Sequence, residues 1–369
     1  MVFQVKPKIS MVESLEVFLE NVGLSTRDLI VTNEHIFAPF VDEKSLPPCS
    51  LLYQERFGKG EPSDEMVDGI INSIKGKEYD RIIAIGGGTV IDVSKLLVFG
   101  EEMSCEEIFA AGESAVKKRK LIAIPTTCGT GSEVTMISVA SFIKKNTKSG
   151  LAVPSLFPDE AVLIPSLLAS QPYEVFAASA IDALIHAVES HVSPKANTFS
   201  DAIGAAAMFL IIKGFQDIVK LGERKLPDVN TLARFAEGST LAGIAFGNVG
   251  VGAVHALSYP VGAAYHVPHG KSNYMFFEAV FNAYKKNGAD LSKLDNTLSK
   301  ILDTQDVWGE LSKIMSFLLD LESLSSLGAT EKDCRDMAAS VIKNQQRLLV
   351  NNPIPLTEDD IFDIYMKCL

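Results

Sequence analysis

Apolar residues follow two different rhythms along this chain, and the change comes near position 172. Up to there, short apolar runs alternate with helical periods. Asp28–Thr32, Ser50–Gln54, Arg81–Ile85, Lys120–Ile124 and Ala161–Ile164 read as strands. Pro62–Glu65 opens a helix through Met66, Ile70, Ile71 and Ile74 with Ser63 as its cap, and a second helix follows Gly86–Thr89 and runs to about Val98. Strand-length apolar runs separated by helices predict a parallel sheet covered by helices. Beyond Pro172, apolar positions recur at helical spacing over 173–192, 200–220, 230–246, 274–285, 306–322 and 333–349. Thr330-Glu331-Lys332-Asp333 and Thr357-Glu358-Asp359-Asp360 have the form of capping boxes. The expected fold is an α/β domain over 1–174 followed by an all-α domain over 175–369.

Between Ala177 and Val188 the chain is almost wholly apolar, and the ionisable side chains there are Asp182 and His186. Four residues apart, they share one face of a helix that is apolar nearly all round and therefore buried. A carboxylate and an imidazole in such an interior need partners, because an unpaired buried charge is costly. A divalent ion would satisfy both. Two further segments could complete its shell: Ala253-Val254-His255-Ala256-Leu257 after a run of glycines, and Val267-Pro268-His269-Gly270, which reads as a turn. One carboxylate with three imidazoles suits Zn²⁺ or Fe²⁺ with room for a substrate oxygen. The plainer alternative is that Asp182 and His186 satisfy each other or the backbone, with His255 and His269 as ordinary turn residues.

Gly86-Gly87-Gly88-Thr89 lies between a strand and a helix, where a phosphate can approach backbone N–H groups and a helix N-terminus, with Asp92 in the first turn. A tight strand-to-helix connection would look the same. A second polar turn, Pro125-Thr126-Thr127-Cys128-Gly129-Thr130-Gly131-Ser132-Glu133, follows the next strand, and the pair would suit a pyrophosphate. Cys128 has no base nearby in sequence and reads as a small buried thiol rather than a nucleophile.

Composition narrows the class. A formal charge of −12 over 369 residues argues against a nucleic-acid partner. Five scattered cysteines without CxxC spacing read as reduced thiols of a cytoplasmic protein. The apolar runs are broken short of the ~20 residues of a membrane span. The first residues carry no basic-then-apolar export signal.

Taken in order, Gly86-Gly87-Gly88-Thr89 with Asp92, Pro125-Thr126-Thr127 with Gly129-Thr130 and Ser132-Glu133, then Asp182, His186, His255 and His269-Gly270, the motifs resemble the iron-containing (group III) alcohol dehydrogenases along essentially the whole chain. The resemblance implies the dehydroquinate synthase-like fold: an N-terminal nucleotide-binding α/β domain, a helical C-terminal domain and a cleft between them. It implies one divalent metal, Fe²⁺ ahead of Zn²⁺, on Asp182, His186, His255 and His269. It implies NAD(H) over Gly87, Gly88, Thr89, Asp92, Thr126, Thr127, Thr130 and Lys148, in a homodimer with no nucleic-acid or membrane partner. The closer likeness, carried by Gly60–Met66, 245–270 and Gln345–Asn352, is to members that interconvert 4-hydroxybutyrate and succinate semialdehyde. Two positions depart from the pattern. Asn33 stands where an acidic residue is common, which weakens a sequence argument for NAD over NADP. Tyr259 stands where alcohol-active members often carry a histidine, so a histidine proton relay does not carry over from the resemblance; Tyr259 and His266 are the candidate catalytic residues. His266, Lys271, Tyr259 and the more remote Arg347 are candidate anchors for a substrate carboxylate. The rivals are a general short-chain alcohol/aldehyde dehydrogenase, a dehydroquinate synthase-type lyase, which would need more cations than Lys271 supplies over 245–275, and a metallohydrolase whose glycine turns are structural.

Overall fold

The computed structural model describes residues 3–145 and 147–369. The chain divides into two compact units, Gln4–Gln171 and Pro172–Leu369, the latter including Phe3. In the first unit the strands are β1 (Lys8–Met11), β2 (Asp28–Thr32), β3 (Ser50–Tyr53), β4 (Arg81–Gly86), β5 (Lys120–Pro125), β6 (Ile137–Phe142), β7 (Thr147–Ala152) and β8 (Glu160–Leu163). Its helices are α1 (Leu15–Val22), α2 (Glu34–Phe37), α3 (Asp64–Ile74), α4 (Gly88–Leu97) and α5 (Cys105–Ala111). Six strands form a parallel sheet in the order β1-β8-β5-β4-β2-β3, and β6 and β7 pair as a separate antiparallel ribbon.

Strand periodicity explains why the central strands read as unbroken apolar runs. Alternate residues point to opposite faces, and both faces are covered. Leu29, Val31, Ile82, Ala84, Leu121 and Ala123 join one core with α3 and α4, while Ile30, Ile83, Ile85, Ile122 and Ile124 join another with Leu15, Phe18 and Leu19 of α1. Three strands were not expected. β1 is a short, largely exposed edge strand with little apolar signal. The β6–β7 ribbon does carry a period-two signal, since β6 alternates between half-buried and buried residues.

The second unit is helical: α6 (Tyr173–Val192), α7 (Thr198–Leu221), α8 (Val229–Val249), α9 (Ala253–Tyr265), α10 (His269–Lys286), α11 (Ser292–Leu302), α12 (Val307–Leu318), α13 (Glu331–Asn344), α14 (Gln346–Leu349) and α15 (Glu358–Cys368). Both expected capping boxes form, Thr330 with Asp333 and Thr357 with Asp360. Two helices of this unit were missed, as were α1, α2 and α5 of the first. Pro260 and the flanking glycines disguised α9 as a loop, although Pro260 sits inside it. The α11 helix buries Leu294, Leu298, Ile301 and Leu302, a legible helical stripe. The expectation that apolar runs stop short of a membrane span also needs correcting. By length and composition, α6 and α7 are both long and apolar enough to cross a membrane. Isolated polar residues interrupt a run without lowering its mean hydropathy much. In α6 the apolar surface is covered by the protein itself, with 83% of its most apolar window buried, against 44% in α7.

Helix α6 packs against α7, α8 and α10. The α7–α8 crossing depends on small residues that interlock with large ones. A Cβ on Gly214 would lie 2.6 Å from the Phe235 ring, and one on Gly238 would lie 2.7 Å from Ile211. Gly214→Ala therefore sets two effects against each other: a helix-propensity gain of up to ~1 kcal/mol and overpacking that costs about 1–3 kcal/mol. Because the clash is with a buried ring, the net expectation is destabilisation of about 1–2 kcal/mol, read as a lower urea midpoint. A raised midpoint would mean that Phe235 yields.

Candidate functional site

Asp182 and His186 project from one face of α6, buried as the spacing required. His255 lies in the first turn of α9, and His269 is the first residue of α10. The expected turn at Pro268–Gly270 is thus a helix start, with Pro268 at the N-cap. Gly270 serves a different purpose from turn formation. A Cβ there would collide with the Ala178 carbonyl and approach Asp182 Cβ at 3.4 Å, so its absence lets the first turn of α10 lie directly on α6. One ligand atom from each of Asp182, His186, His255 and His269 falls within 4.8 Å of all the others.

Asp182 Oδ1 lies 3.7 Å from His255 Nε2 and 3.9 Å from His269 Nε2, and accepts a 2.6 Å hydrogen bond from Asn273 Nδ2. Burial opposes ionisation of Asp182, but His186, His269, His255 and the Asn273 amide outweigh it and hold the carboxyl below its ordinary range. Burial pushes His186 down to about 4, so its imidazole is neutral. The His186 ring stacks with Phe246 at 4.2 Å and with His255 at 4.5 Å. On the far side of His255, its Nδ1 meets Glu189 Oε2 at 2.5 Å. Burial raises the Glu189 carboxyl, while N–H groups of Val254, Gly252 and His255 pull the other way. The side chain of His269 is 30% exposed while those of Asp182 and His255 are almost fully covered, so the cluster opens on the His269 side. One ion with bonds of ~2.1 Å could draw these four atoms together. Their single negative charge would leave a divalent ion with a net positive charge toward a substrate oxygen.

Glu189 and Asn273 were missed by sequence reasoning, and both had a helical signal. Glu189 lies three residues after His186 and Asn273 four after His269, each on the face already in use. Tyr259 lies one turn after His255 with its ring 6.0 Å from that of His269. His266 is exposed, in the left-handed conformation that ends α9. Lys271 lies 3.4 Å from Glu174 and borders a shallow depression with Asp320 and Glu322, so acids surround its charge. The exposed Arg347 lies in α14.

In the first unit, Gly87 is the N-cap of α4 and makes no side-chain cap, which leaves the first-turn N–H groups available to a ligand. The two turns are built against each other. A Cβ on Gly88 would meet Thr130 Cγ2 at 2.7 Å, whereas one on Gly87 would meet only Thr127 at 3.4 Å. Asp92 holds them together. Its carboxylate accepts from Ser132 Oγ at 2.5 Å and from the Val139 N–H at 3.2 Å. The fully buried Lys95, unremarked in the sequence, donates to Ser132 Oγ, Thr135 Oγ1 and the Ile137 carbonyl. Thr89 Oγ1 donates to the Gly60 carbonyl, and Thr126 is buried with its N–H on the Gly86 carbonyl. Lys148, on β7, pairs with Glu61 at 2.5 Å. Asn33, at the end of β2, donates to Gln54 and to Glu55 Oε2. Cys128 is buried, and burial raises its thiol far above the usual range, the opposite of a nucleophile's environment.

The sequence matches the models "Iron-containing alcohol dehydrogenase" over residues 9–165 and "Fe-containing alcohol dehydrogenase family, C-terminal" over 176–369. It is 42% identical to 4-hydroxybutyrate dehydrogenase of Clostridium kluyveri over 365 residues, 98% of each chain. It is 34% identical to long-chain-alcohol dehydrogenase 1 of Geobacillus thermodenitrificans, over 83% of this chain and 79% of that one. In structure it resembles sulfoacetaldehyde reductase from Bifidobacterium kashiwanohense, solved in complex with NAD⁺, with a TM-score of 0.85 at 24% identity, covering 100% of this chain and 98% of that one. With both halves matched and such a relative along its length, the chain belongs to the iron-containing alcohol dehydrogenase family of oxidoreductases.

Proposed function

We propose that this protein interconverts 4-hydroxybutyrate and succinate semialdehyde with NAD(H), using a divalent ion, Fe²⁺ ahead of Zn²⁺, held by Asp182, His186, His255 and His269. The observation that carries this reading is the closure of one carboxylate and three imidazoles into a single buried cluster, in a chain 42% identical to a 4-hydroxybutyrate dehydrogenase along 98% of its length. In the oxidative direction the C4 hydroxyl loses a proton and C4 loses a hydride to NAD⁺, giving the aldehyde, NADH and H⁺. When bound, the ion supplies Lewis acidity toward the substrate oxygen and the nicotinamide carries the hydride.

The chain's own residues supply position and electrostatics. Ionised Asp182 and neutral His186 present the ligand forms a divalent ion requires. Tyr259, beside His269, is placed to border the substrate on the open side of the cluster. The free first-turn N–H groups of α4, with Thr127 and Thr130, receive the pyrophosphate, and Asp92 with Lys95 keeps the two turns in register. The Glu55 carboxylate held against Asn33 restores an acidic group at the end of the strand beside the glycine turn, where such a group favours ribose hydroxyls over a 2′-phosphate. Lys271 is paired with Glu174, and exposed His266 is the first candidate partner for the substrate carboxylate, ahead of Tyr259 and Arg347. The same reading makes the enzyme a cytoplasmic homodimer with no nucleic-acid or membrane partner; its five cysteines are all free thiols.

Three outcomes test the reading. His269→Ala should lose the divalent ion and turnover while keeping the helical circular-dichroism signal, and retained metal content would remove His269 from the ligand set. Gly87→Val should fold, because the protein itself leaves room for a Cβ there, yet bind NADH more weakly by at least ~1 kcal/mol through loss of close backbone approach. Unchanged NADH affinity would place the cofactor elsewhere. A charge-assisted hydrogen bond to the substrate carboxylate is worth ~1.5–3 kcal/mol, so succinate semialdehyde should exceed butyraldehyde at least ~tenfold in kcat/KM. His266→Ala should shrink that ratio. Equal kcat/KM on the two aldehydes in the parent enzyme would instead indicate a general alcohol dehydrogenase.

A further inference from the structure

Helix α9 begins without a cap of its own. Its N-cap is Gly252, which has no side chain to offer, and its first turn carries His255. The missing acceptor comes from α6, where Glu189 extends a side chain with no solvent exposure. Its two oxygens do different work. Oε1 accepts the Val254 backbone N–H at 2.8 Å, and Oε2 lies 2.5 Å from His255 Nδ1. Gly252 makes the approach possible, because a Cβ there would lie 3.3 Å from Glu189 Oε1 and 2.7 Å from Asn352 Oδ1. One carboxylate thus caps the helix and grips the imidazole that this helix carries.

We propose that Glu189 is a positioning residue that fixes the tautomer and aim of His255, a role that rests on the metal-site reading above. With Oε1 tied to Val254, Oε2 is the atom that faces the ring, and it directs the ring proton to Nδ1. The lone pair then sits on Nε2, the nitrogen turned toward Asp182 at 3.7 Å. A carboxylate behind a ligating imidazole sets ring orientation and raises its basicity.

The geometry makes Glu189→Gln a sharp test. Val254 N–H requires an acceptor, so the amide oxygen must occupy the Oε1 place and the amide NH₂ must face His255 Nδ1. That NH₂ donates, Nδ1 becomes an acceptor, and the ring proton moves to Nε2, where it blocks metal ligation. Packing and the helix cap survive, so a purely structural role would leave metal binding unchanged. The expected result is a metal-free Glu189→Gln protein that melts as the metal-free parent does but binds Co²⁺ ~10–100-fold more weakly, with an altered visible spectrum in the residual complex. Equal Co²⁺ affinity in the two proteins overturns the proposal and leaves the metal site standing. A parent that binds no divalent ion overturns the metal-site reading and this proposal with it. If Glu189→Gln does not fold, nitrogen-15 NMR of histidine-labelled, metal-free parent decides. A neutral ring protonated at Nδ1, absent from His255→Gln, supports the role, and a His255 ring protonated at Nε2 overturns it.

Discussion

A carboxylate surrounded by apolar helices cannot remain ionised without compensation, and the arrangement of the helical unit around Asp182 is the compensation. Removing one such charge from water costs roughly several kcal/mol even after relaxation. Asp182 meets that cost with one amide hydrogen bond and three imidazoles carried on three different helix segments. Each partner must then be held in turn. Asn273 bridges Asp182 and His269, Phe246 stacks on His186, and Glu189 stands behind His255. The apolar character of α6 is what makes the polar cluster necessary.

Close helix approach is the second condition. The cluster exists only because backbones come nearer than side chains would allow, and the positions that permit this are glycines. Gly270 lets α10 touch α6 beside Asp182, and Gly252 lets α9 reach Glu189. Gly214 and Gly238 do the same for the α7–α8 pair, which supplies none of the four clustered side chains. Small residues in this bundle therefore serve packing generally, and only their location relative to Asp182 separates structural from site-building ones.

Helix N-termini are treated in opposite ways in the two units. The start of α4 has no side-chain cap, and the surrounding network of Asp92, Ser132 and Lys95 holds that turn open and rigid. The start of α9 is closed by a carboxylate from another helix. The same kind of unsatisfied N–H group is thus left open in one place and tied to a carboxylate beside His255 in the other.

Much of this was legible beforehand because it depends on local periodicity. The five strand runs expected from sequence and the helical stripes of the second unit were read from spacing alone, as were the two capping boxes and the shared face of Asp182 and His186. Elements that broke the local rules were lost: α9 because Pro260 and glycines resemble a loop, and the edge strand β1 because exposure removes the apolar signal. Periodicity could nominate His255 and His269 but could not distinguish a turn from the first residue of a helix, nor bring together groups more than 60 residues apart. Spacing put Glu189 and Asn273 on faces already in use, but what they hold, like the roles of Lys95 and Glu55, had no meaning until their partners were in place. Spacing within a helix is a property of the chain, so the sequence by itself determined which side chains share a face. Contact between faces depends on the packing of separate elements, so only the tertiary structure decided which faces meet and what each buried charge is paired with.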